Sequence, residues 1–280
     1  MRNTYTSDKF IKWVWNDGKI HPNVFLTGTR TGRMSYRDPP MQTIPSRGDG
    51  AELRNIVAAS PGYFIVRADL GQMEYRLLAH FTQDAFLLDA YRTGRDLHEE
   101  TGKLFGVSRD AGKQCNFSVI YGQGISALSA KIKKDKKETS TLMQKYFERF
   151  SKVKEFKDST INYAYANGYI KTMSGRIRGL KKYMEYEDGS IERLATNTVI
   201  QGANAEIIKL ILCKQRRQFK GTGIKCILQV HDELIFEFPE TYDKKEAEKI
   251  IEKLMTETYP LTIPVEASVA SGYNWSETKD

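Results

Sequence analysis

The sequence predicts an α+β fold in which an antiparallel sheet is interrupted by a long, mainly helical insertion. Three observations predict it. The apolar run Tyr63–Ala68 follows the turn signal Pro61-Gly62 and reads as a buried strand ending at Asp69. Two more apolar runs, Ile224–Val230 and Leu234–Phe238, are joined by a tight turn at His231-Asp232-Glu233. Helical rather than alternating periodicity fills about a hundred residues between these strands.

Residues 23–50, rich in Gly, Pro, Thr and Arg, are expected to run as extended chain and turns. From Met73 to Tyr91 the apolar residues Leu77, Leu78, Phe81, Phe86 and Leu87 have helical spacing, broken near Gln83-Asp84. Residues 96–106, 109–121, 126–134 and 138–167 read as further helices, the last a single long one. Gly168–Thr172 and Ser174-Gly175-Arg176 suggest a short hairpin. A long helix is expected over 190–219, a helix over 242–257 and a strand around 265–269.

A net charge of +8 and a pI near 9.2 favour a polyanionic partner, although the same excess also serves solubility. Mean hydropathy is −0.52, and no stretch approaches the roughly eighteen apolar residues of a membrane span. Met1 is not followed by an apolar signal core, so a cytoplasmic location is expected, in a bacterial or phage-infected cell, with no membrane partner and organellar origin left open. Cys115, Cys213 and Cys226 lie far apart and suit buried thiols better than a zinc site. Arg30, Arg33, Arg37, Arg47 and Arg54 recur in a loop-forming context that fits a phosphate backbone. The lysines of 131–137 read as a solvated helical face.

Two features carry chemistry. Asp69 ends a strand, and Asp232 and Glu233 occupy a hairpin tip. Turns commonly hold Asp for local hydrogen bonding, so each alone has an ordinary reading. Together they can converge on one sheet edge, where hard cations relieve their repulsion; magnesium prefers a few carboxylates with phosphate oxygens and water. In phosphoryl transfer two such ions, about 3.5–4 Å apart, act on the attacking and leaving oxygens. The second feature is Arg109, Lys113, Phe117 and Tyr121, spaced every four residues and so forming one drifting helical stripe. The cations can grip a polyphosphate and the aromatics can stack on a base or sugar; an amphipathic helix with solvated cations is the alternative.

In these motifs the sequence resembles the polymerase domain of family A DNA polymerases, the bacterial DNA polymerase I type. Asp69-Leu-Gly-Gln-Met-Glu-Tyr-Arg76 is similar to the family motif Asp-Tyr-Ser-Gln-Ile-Glu-Leu-Arg, and the 109–122 stripe to Arg-x3-Lys-x3-Phe/Tyr-x3-Tyr-Gly. Gln229-Val-His-Asp-Glu233 matches a third motif as it stands. Thr31-Gly-Arg33, Gln42-Thr-Ile-Pro-Ser-Arg47, Asp96-Leu-His98, Arg193-x3-Asn197-x3-Gln201-Gly202 and Gly272-Tyr-Asn-Trp275 follow in the family's order. The resemblance runs from about residue 25 onward.

The resemblance implies an antiparallel palm sheet interrupted by helical fingers, with palm at 1–73 and 189–280 and fingers at 74–188. It implies that Asp69 and Asp232, with the Leu70 carbonyl, hold two magnesium ions (manganese can substitute), Glu233 supporting. Arg109, Lys113 and His98 would contact the phosphates of the incoming deoxynucleoside triphosphate. Phe117 would pack on the deoxyribose and discriminate against dideoxynucleotides, Tyr121 would guard the template base, and Glu74 would exclude a ribose 2′-hydroxyl. Arg33, Gln201 and His231 would touch the primer–template, with Arg47, Gln72, Arg193 and Asn197 as further candidates for that surface. The product would be template-directed DNA, made by two-metal nucleotidyl transfer with Lys113 among the groups assisting chemistry.

Departures from the family pattern are Leu70-Gly71 for Tyr-Ser, Thr43 for Asn and Ser118 for Gly. Gly112 inside the stripe helix costs roughly 1 kcal/mol relative to Ala and is expected to ease its movement. About thirty residues precede Thr31, too few for the family's thumb or exonuclease domain. Distributive synthesis is therefore expected unless another polypeptide supplies the grip. A single-subunit RNA polymerase is disfavoured by Glu74 and by His-Asp-Glu in the third motif. A non-catalytic DNA-binding subunit is disfavoured by the presence of Asp69, Asp232, Arg109 and Lys113.

Overall fold

The structure, a computed structural model, describes residues 11–46, 48, 50–185 and 189–278. Arg47 and the expected boundary at residue 188 lie outside the described residues. Eight strands are described: β1 (Asn23–Phe25), β2 (Ser35–Arg37), β3 (Tyr63–Leu70), β4 (Tyr169–Lys171), β5 (Ile177–Gly179), β6 (Lys225–Val230), β7 (Glu233–Pro239) and β8 (Ala267–Gly272). The helices are α1 (Met73–Thr82), α2 (Ala85–Arg92), α3 (Leu97–Phe105), α4 (Arg109–Tyr121), α5 (Ile125–Ile132), α6 (Lys136–Arg149), α7 (Ser151–Asn167), α8 (Ser190–Gln218) and α9 (Lys244–Glu257). The expected α+β layout is present.

Two compact units result. One comprises Met1–Gly71, Ile207–Thr258 and Glu266–Asp280; the other comprises Gln72–Glu206 and Tyr259–Val265. Residues 189–206, expected with the second sheet segment, thus cluster with the helical unit.

The first unit is built on a four-stranded sheet of order β6-β7-β3-β8, antiparallel throughout. β3 is central and β7 is its neighbour, so both are buried on both faces and read as continuous apolar runs. Alternation sorts their side chains. One face carries Phe64 stacked on Phe238 at 5.8 Å, with Phe219 edge-on to Phe236 and Phe238. The other joins Ile65, Leu228, Val230 and Ile235 to Met41, Ile44 and Trp275. Each fully buried side chain of this kind contributes about 1.5–3 kcal/mol. Arg67 and Asp69 follow Ile65 at period two, so charge emerges on an apolar face.

The second unit is helical. Asp84, Asp96, Ser108 and Asp135 cap the N-termini of α2, α3, α4 and α6 through their side chains. The single helix expected over 138–167 is two, α6 and α7, separated at Phe150 (φ −105°, ψ 61°). Phe150 is fully buried, 4.5 Å from Tyr146 and 5.5 Å from Phe86 between ring centroids. Packing of this ring, rather than a Gly or Pro, coincides with the break, and periodicity did not reveal it. The expected hairpin is β4–β5, and α8 is the longest described helix at 29 residues.

The cysteines are free, and Cys213 is exposed rather than buried. Two residues beyond buried Ile211, it falls on the opposite side of α8. Burial pushes the thiols of Cys115 and Cys226 up to about 11 and about 12.

Candidate active site

In the sheet unit, Asp69 stands opposite Glu233 across the β3–β7 ladder, and the Leu70 N–H donates to the Asp232 carbonyl at 3.2 Å. The two strand ends therefore bring three acidic residues to one place, as their positions predicted. Glu233 differs from expectation: it begins β7, paired with Asp69 and Val230, instead of lying at the hairpin tip. Its side chain is buried, and both oxygens are engaged. Oε2 accepts from Arg67 Nε, and Oε1 accepts the Trp275 indole N–H at 2.7 Å, with Arg54 Nη1 at 3.7 Å. Arg54 lies 3.8 Å over the Trp275 ring and donates Nε–H to the Pro45 carbonyl. Arg54 is thus an interior residue, not part of a surface arginine track.

Arg67 also donates to Asp69 Oδ2 at 2.9 Å, so one buried guanidinium bridges Asp69 and Glu233. Asp69 keeps 42% of its side chain exposed. Its carboxyl is pushed up to about 6, chiefly by desolvation and further by Glu233 and Asp232, against the pull of Arg67. An ionised carboxylate here is short of positive charge. Among the described residues no group of three or more His, Cys, Asp or Glu is arranged as a metal cage. Magnesium needs no such cage: one or two carboxylates suffice when phosphates and water complete the shell. Asp69, Asp232 and the Leu70 carbonyl offer oxygen donors only, the donor chemistry that magnesium takes.

The turn before Asp232 is braced. His231 adopts a left-handed φ of 55°, its carbonyl accepts from Gln229 Nε2 at 2.6 Å, and Gln229 Oε1 accepts from Gln42 at 3.1 Å. Burial and nearby Arg33 lower the His231 pKa, bringing two of the expected DNA-contacting residues together.

In the helical unit, the α4 stripe is present as predicted. Lys113 Nζ sits 5.5 Å from the Phe117 ring centre, and Phe117 stacks on Tyr121 at 5.6 Å. Arg109 is half-exposed and holds Asp96 Oδ2 through Nε and Nη2 at 3.0 and 2.7 Å. Behind the stripe, Tyr75 packs edge-on to His98 at 5.2 Å and against Phe117 at 5.4 Å. Glu74 and His98 are buried beside them in sequence and space, at 7% and 4% exposure. Gln72 takes a left-handed φ of 52° at the start of α1, and its Oε1 accepts from the Tyr91 hydroxyl at 3.2 Å.

Gly112 corrects an expectation. A Cβ there would lie 2.5 Å from the His98 carbonyl and 2.7 Å from the Gly102 nitrogen. It lets α3 and α4 touch backbone to backbone, so its role is close packing rather than looseness. At the end of α4, Gly122 (φ 60°) abuts the Arg193 backbone. Arg193, Asn197 and Gln201 succeed each other every four residues on α8, half-buried, with Asn197 Oδ1 lacking a hydrogen-bond partner among the described residues.

The sequence model of DNA polymerase family A matches residues 1–277. The chain belongs to DNA polymerase family A. Among its family A relatives, DNA polymerase I of Caldicellulosiruptor bescii is 36% identical over 280 residues, covering 94% of this chain and 33% of that protein. Thermostable DNA polymerase I of Thermus filiformis is 35% identical over 275 residues, again 94% and 33%. The polymerase domain of Pol1 from M. smegmatis, solved in complex with DNA primer-template and dNTP, superposes with a TM-score of 0.89 at 33% identity. That match covers 96% of this chain and 50% of the other. The chain therefore spans about a third of the length of these curated family A relatives.

Residues that the sequence reading left without a role are Arg67, Trp275, Asn116 and Tyr75. Arg67 had a signal: a cation two positions before Asp69 in an apolar strand shares its face.

Proposed function

We propose that this chain carries out template-directed DNA synthesis, adding deoxynucleotides to a primer 3′-hydroxyl. The observation that carries the reading is the pair of carboxylates, Asp69 and Asp232, at adjacent strand ends with Glu233 committed elsewhere. The primer-template and dNTP held by the related M. smegmatis domain support primer-template DNA and dNTPs as ligands here.

Residues 1–73 and 189–280 are taken as palm and 74–188 as fingers. Asp69, Asp232 and the Leu70 carbonyl would hold two magnesium ions, or manganese in their place. When bound, these ions supply the charge that acidifies the primer 3′-hydroxyl and offsets charge on the departing pyrophosphate. Arg109, Lys113 and His98 bind the triphosphate, Arg109 exchanging its Asp96 contact for phosphate. Phe117 packs on the sugar, Tyr121 guards the template base, and Glu74 blocks a 2′-hydroxyl. Arg33 and His231 in the sheet unit, and Gln201, Arg193 and Asn197 on α8, contact primer–template, with Arg47 and Gln72 as further candidates for such contacts. Glu233 acts as a positioning residue that fixes the strand end carrying Asp69. The 280-residue polypeptide on its own is proposed to dissociate after few additions unless a separate polypeptide supplies further DNA contacts.

Primer extension with magnesium, run beside Asp232→Ala, tests this. Loss of extension in a folded Asp232→Ala protein is expected; equal extension by both overturns the reading. Incorporation of rNTPs as readily as dNTPs would remove Glu74 from its role.

A further inference from the structure

Behind the stripe face of α4 lies a buried polar chain that the activity as read above leaves unused. Asn116 is fully buried, as is Thr101, while Tyr146 is 1% and His98 4% exposed. Asn116 Nδ2 lies 3.0 Å from Thr101 Oγ1 and 3.1 Å from His98 Nδ1, and Asn116 Oδ1 lies 3.0 Å from the Tyr146 hydroxyl.

Proton accounting fixes each direction. Thr101 has one hydroxyl proton, and its shortest acceptor is the Leu97 carbonyl at 2.7 Å; Asn116 Oδ1 is farther, at 3.3 Å. With that proton committed, Thr101 Oγ1 presents lone pairs, so the group facing it must be the Asn116 amide NH2. Tyr146 then donates to Oδ1, in keeping with a phenol whose ionisation burial strongly disfavours. The second amide N–H of Asn116 is left to His98 Nδ1, which can only accept. An imidazole that accepts at Nδ1 carries its proton on Nε2.

We propose that Asn116 is a positioning residue that holds His98 as the neutral tautomer protonated on Nε2, presenting a fixed N–H donor to the phosphates of an incoming deoxynucleoside triphosphate. This rests on the reading of His98 as a phosphate contact. The groups around the ring agree with it. Tyr75 packs T-shaped against it at 5.2 Å and Phe117 tilted at 5.9 Å, and Asp96, Arg109 and Lys113 are the charged groups that act on it. The two cations and burial hold the ring neutral against Asp96. A neutral ring with the wrong tautomer would aim a lone pair at phosphate oxygen, which is repulsive.

The chain has four histidines, so 15N-histidine labelling gives a spectrum in which His98→Gln assigns the His98 signals. The wild type should show Nδ1 unprotonated and Nε2 protonated. Asn116→Asp reverses the bond, because a carboxylate can only accept; Nδ1 should then carry a proton. In primer extension, the KM of Asn116→Asp for dNTP should rise roughly tenfold at alkaline pH, where the neutral ring turns its Nε2 lone pair outward. It should fall back toward wild type at acidic pH, where both nitrogens are protonated, with kcat changing less. The titratable phenols of Tyr75 and Tyr146 stay protonated throughout that range. Thr101→Val, which frees the amide to rotate without adding charge, should produce a second, Nδ1-protonated population.

A protonated Nδ1 in the wild type overturns the proposal, as does an unprotonated Nδ1 in both folded variants. The spectrum reads the tautomer whether or not the chain extends primers. A changed tautomer with a dNTP KM flat across pH overturns the use of the lock through His98's phosphate contact, while leaving the hydrogen-bond chain itself intact.

Discussion

Trp275 donates its indole N–H to Glu233 Oε1 across 2.7 Å, while Arg54 lies 3.8 Å above the same indole. The ring thus supplies a hydrogen bond at its edge and a π-face to a cation, and both partners are buried charges. Removing the N–H leaves a carboxylate oxygen buried with Arg54 Nη1 at 3.7 Å as its remaining neighbour. Trp275→Phe should destabilise the folded chain by about 1–3 kcal/mol, read as a lower urea midpoint at unchanged slope. Glu233→Ala should cost more, about 3–5 kcal/mol, because it removes the buried carboxylate beside Arg54 and leaves Arg67 with Asp69 alone. A Trp275→Phe midpoint equal to wild type would show the bond to be energetically idle.

Metal binding at Asp69 should depend on pH in a particular window. Its carboxyl is raised to about 6, so protons compete with cations there, whereas an ordinary Asp competes only near pH 4. Raising pH through 6 ionises Asp69 and should increase affinity; lowering it should decrease affinity. Manganese binding followed by electron paramagnetic resonance from pH 5 to 7.5 checks the sign, with a curve flat above pH 5 as the contrary result. The same titration on Arg67→Met should shift the window upward, since the guanidinium pulls the Asp69 pKa down.

Gly112→Ala separates packing from mobility. A helix interior ordinarily gains from alanine. Here the added methyl meets backbone atoms of α3 at 2.5 and 2.7 Å, which cannot swing aside. The variant should lose about 1–3 kcal/mol and show a lower melting temperature. A more stable variant would mean that α3 and α4 separate at little cost.

Phe117 offers a test of the sugar contact. Its ring is held by Tyr75, His98 and Tyr121, leaving no hydroxyl at that position. Phe117→Tyr should narrow the preference for dNTP over ddNTP, measured by competing the two in primer extension. An unchanged ratio would detach Phe117 from the deoxyribose.

Much of the fold was legible because it rests on local chemistry. Apolar runs mark β3, β6 and β7, and side chains such as Asp84, Asp96 and Ser108 mark helix starts by capping them. The α4 stripe was legible because residues four apart must share a helical face. The break at Phe150 was not, since it coincides with a ring packing on Phe86, which lies in another helix, α2. The same limit hid the environment of Glu233. Its position beside Asp232 suggested a shared task, but only the β3–β7 register and residues 54 and 275 reveal that its oxygens are engaged. Gly112 misled for a related reason: its cost is written in its own helix, and its benefit in a neighbour.

The Arg67 bridge has a consequence for how such a chain matures. Clustered acids often leave a sheet dependent on an ion for completion, so that folding waits on supply. With its own cation built into the central strand, this sheet can close in a chelator-washed solution, and the proposed divalent ions would be taken up afterwards. Assembly and loading become separate events, and a preparation stripped with EDTA should keep its cooperative melt.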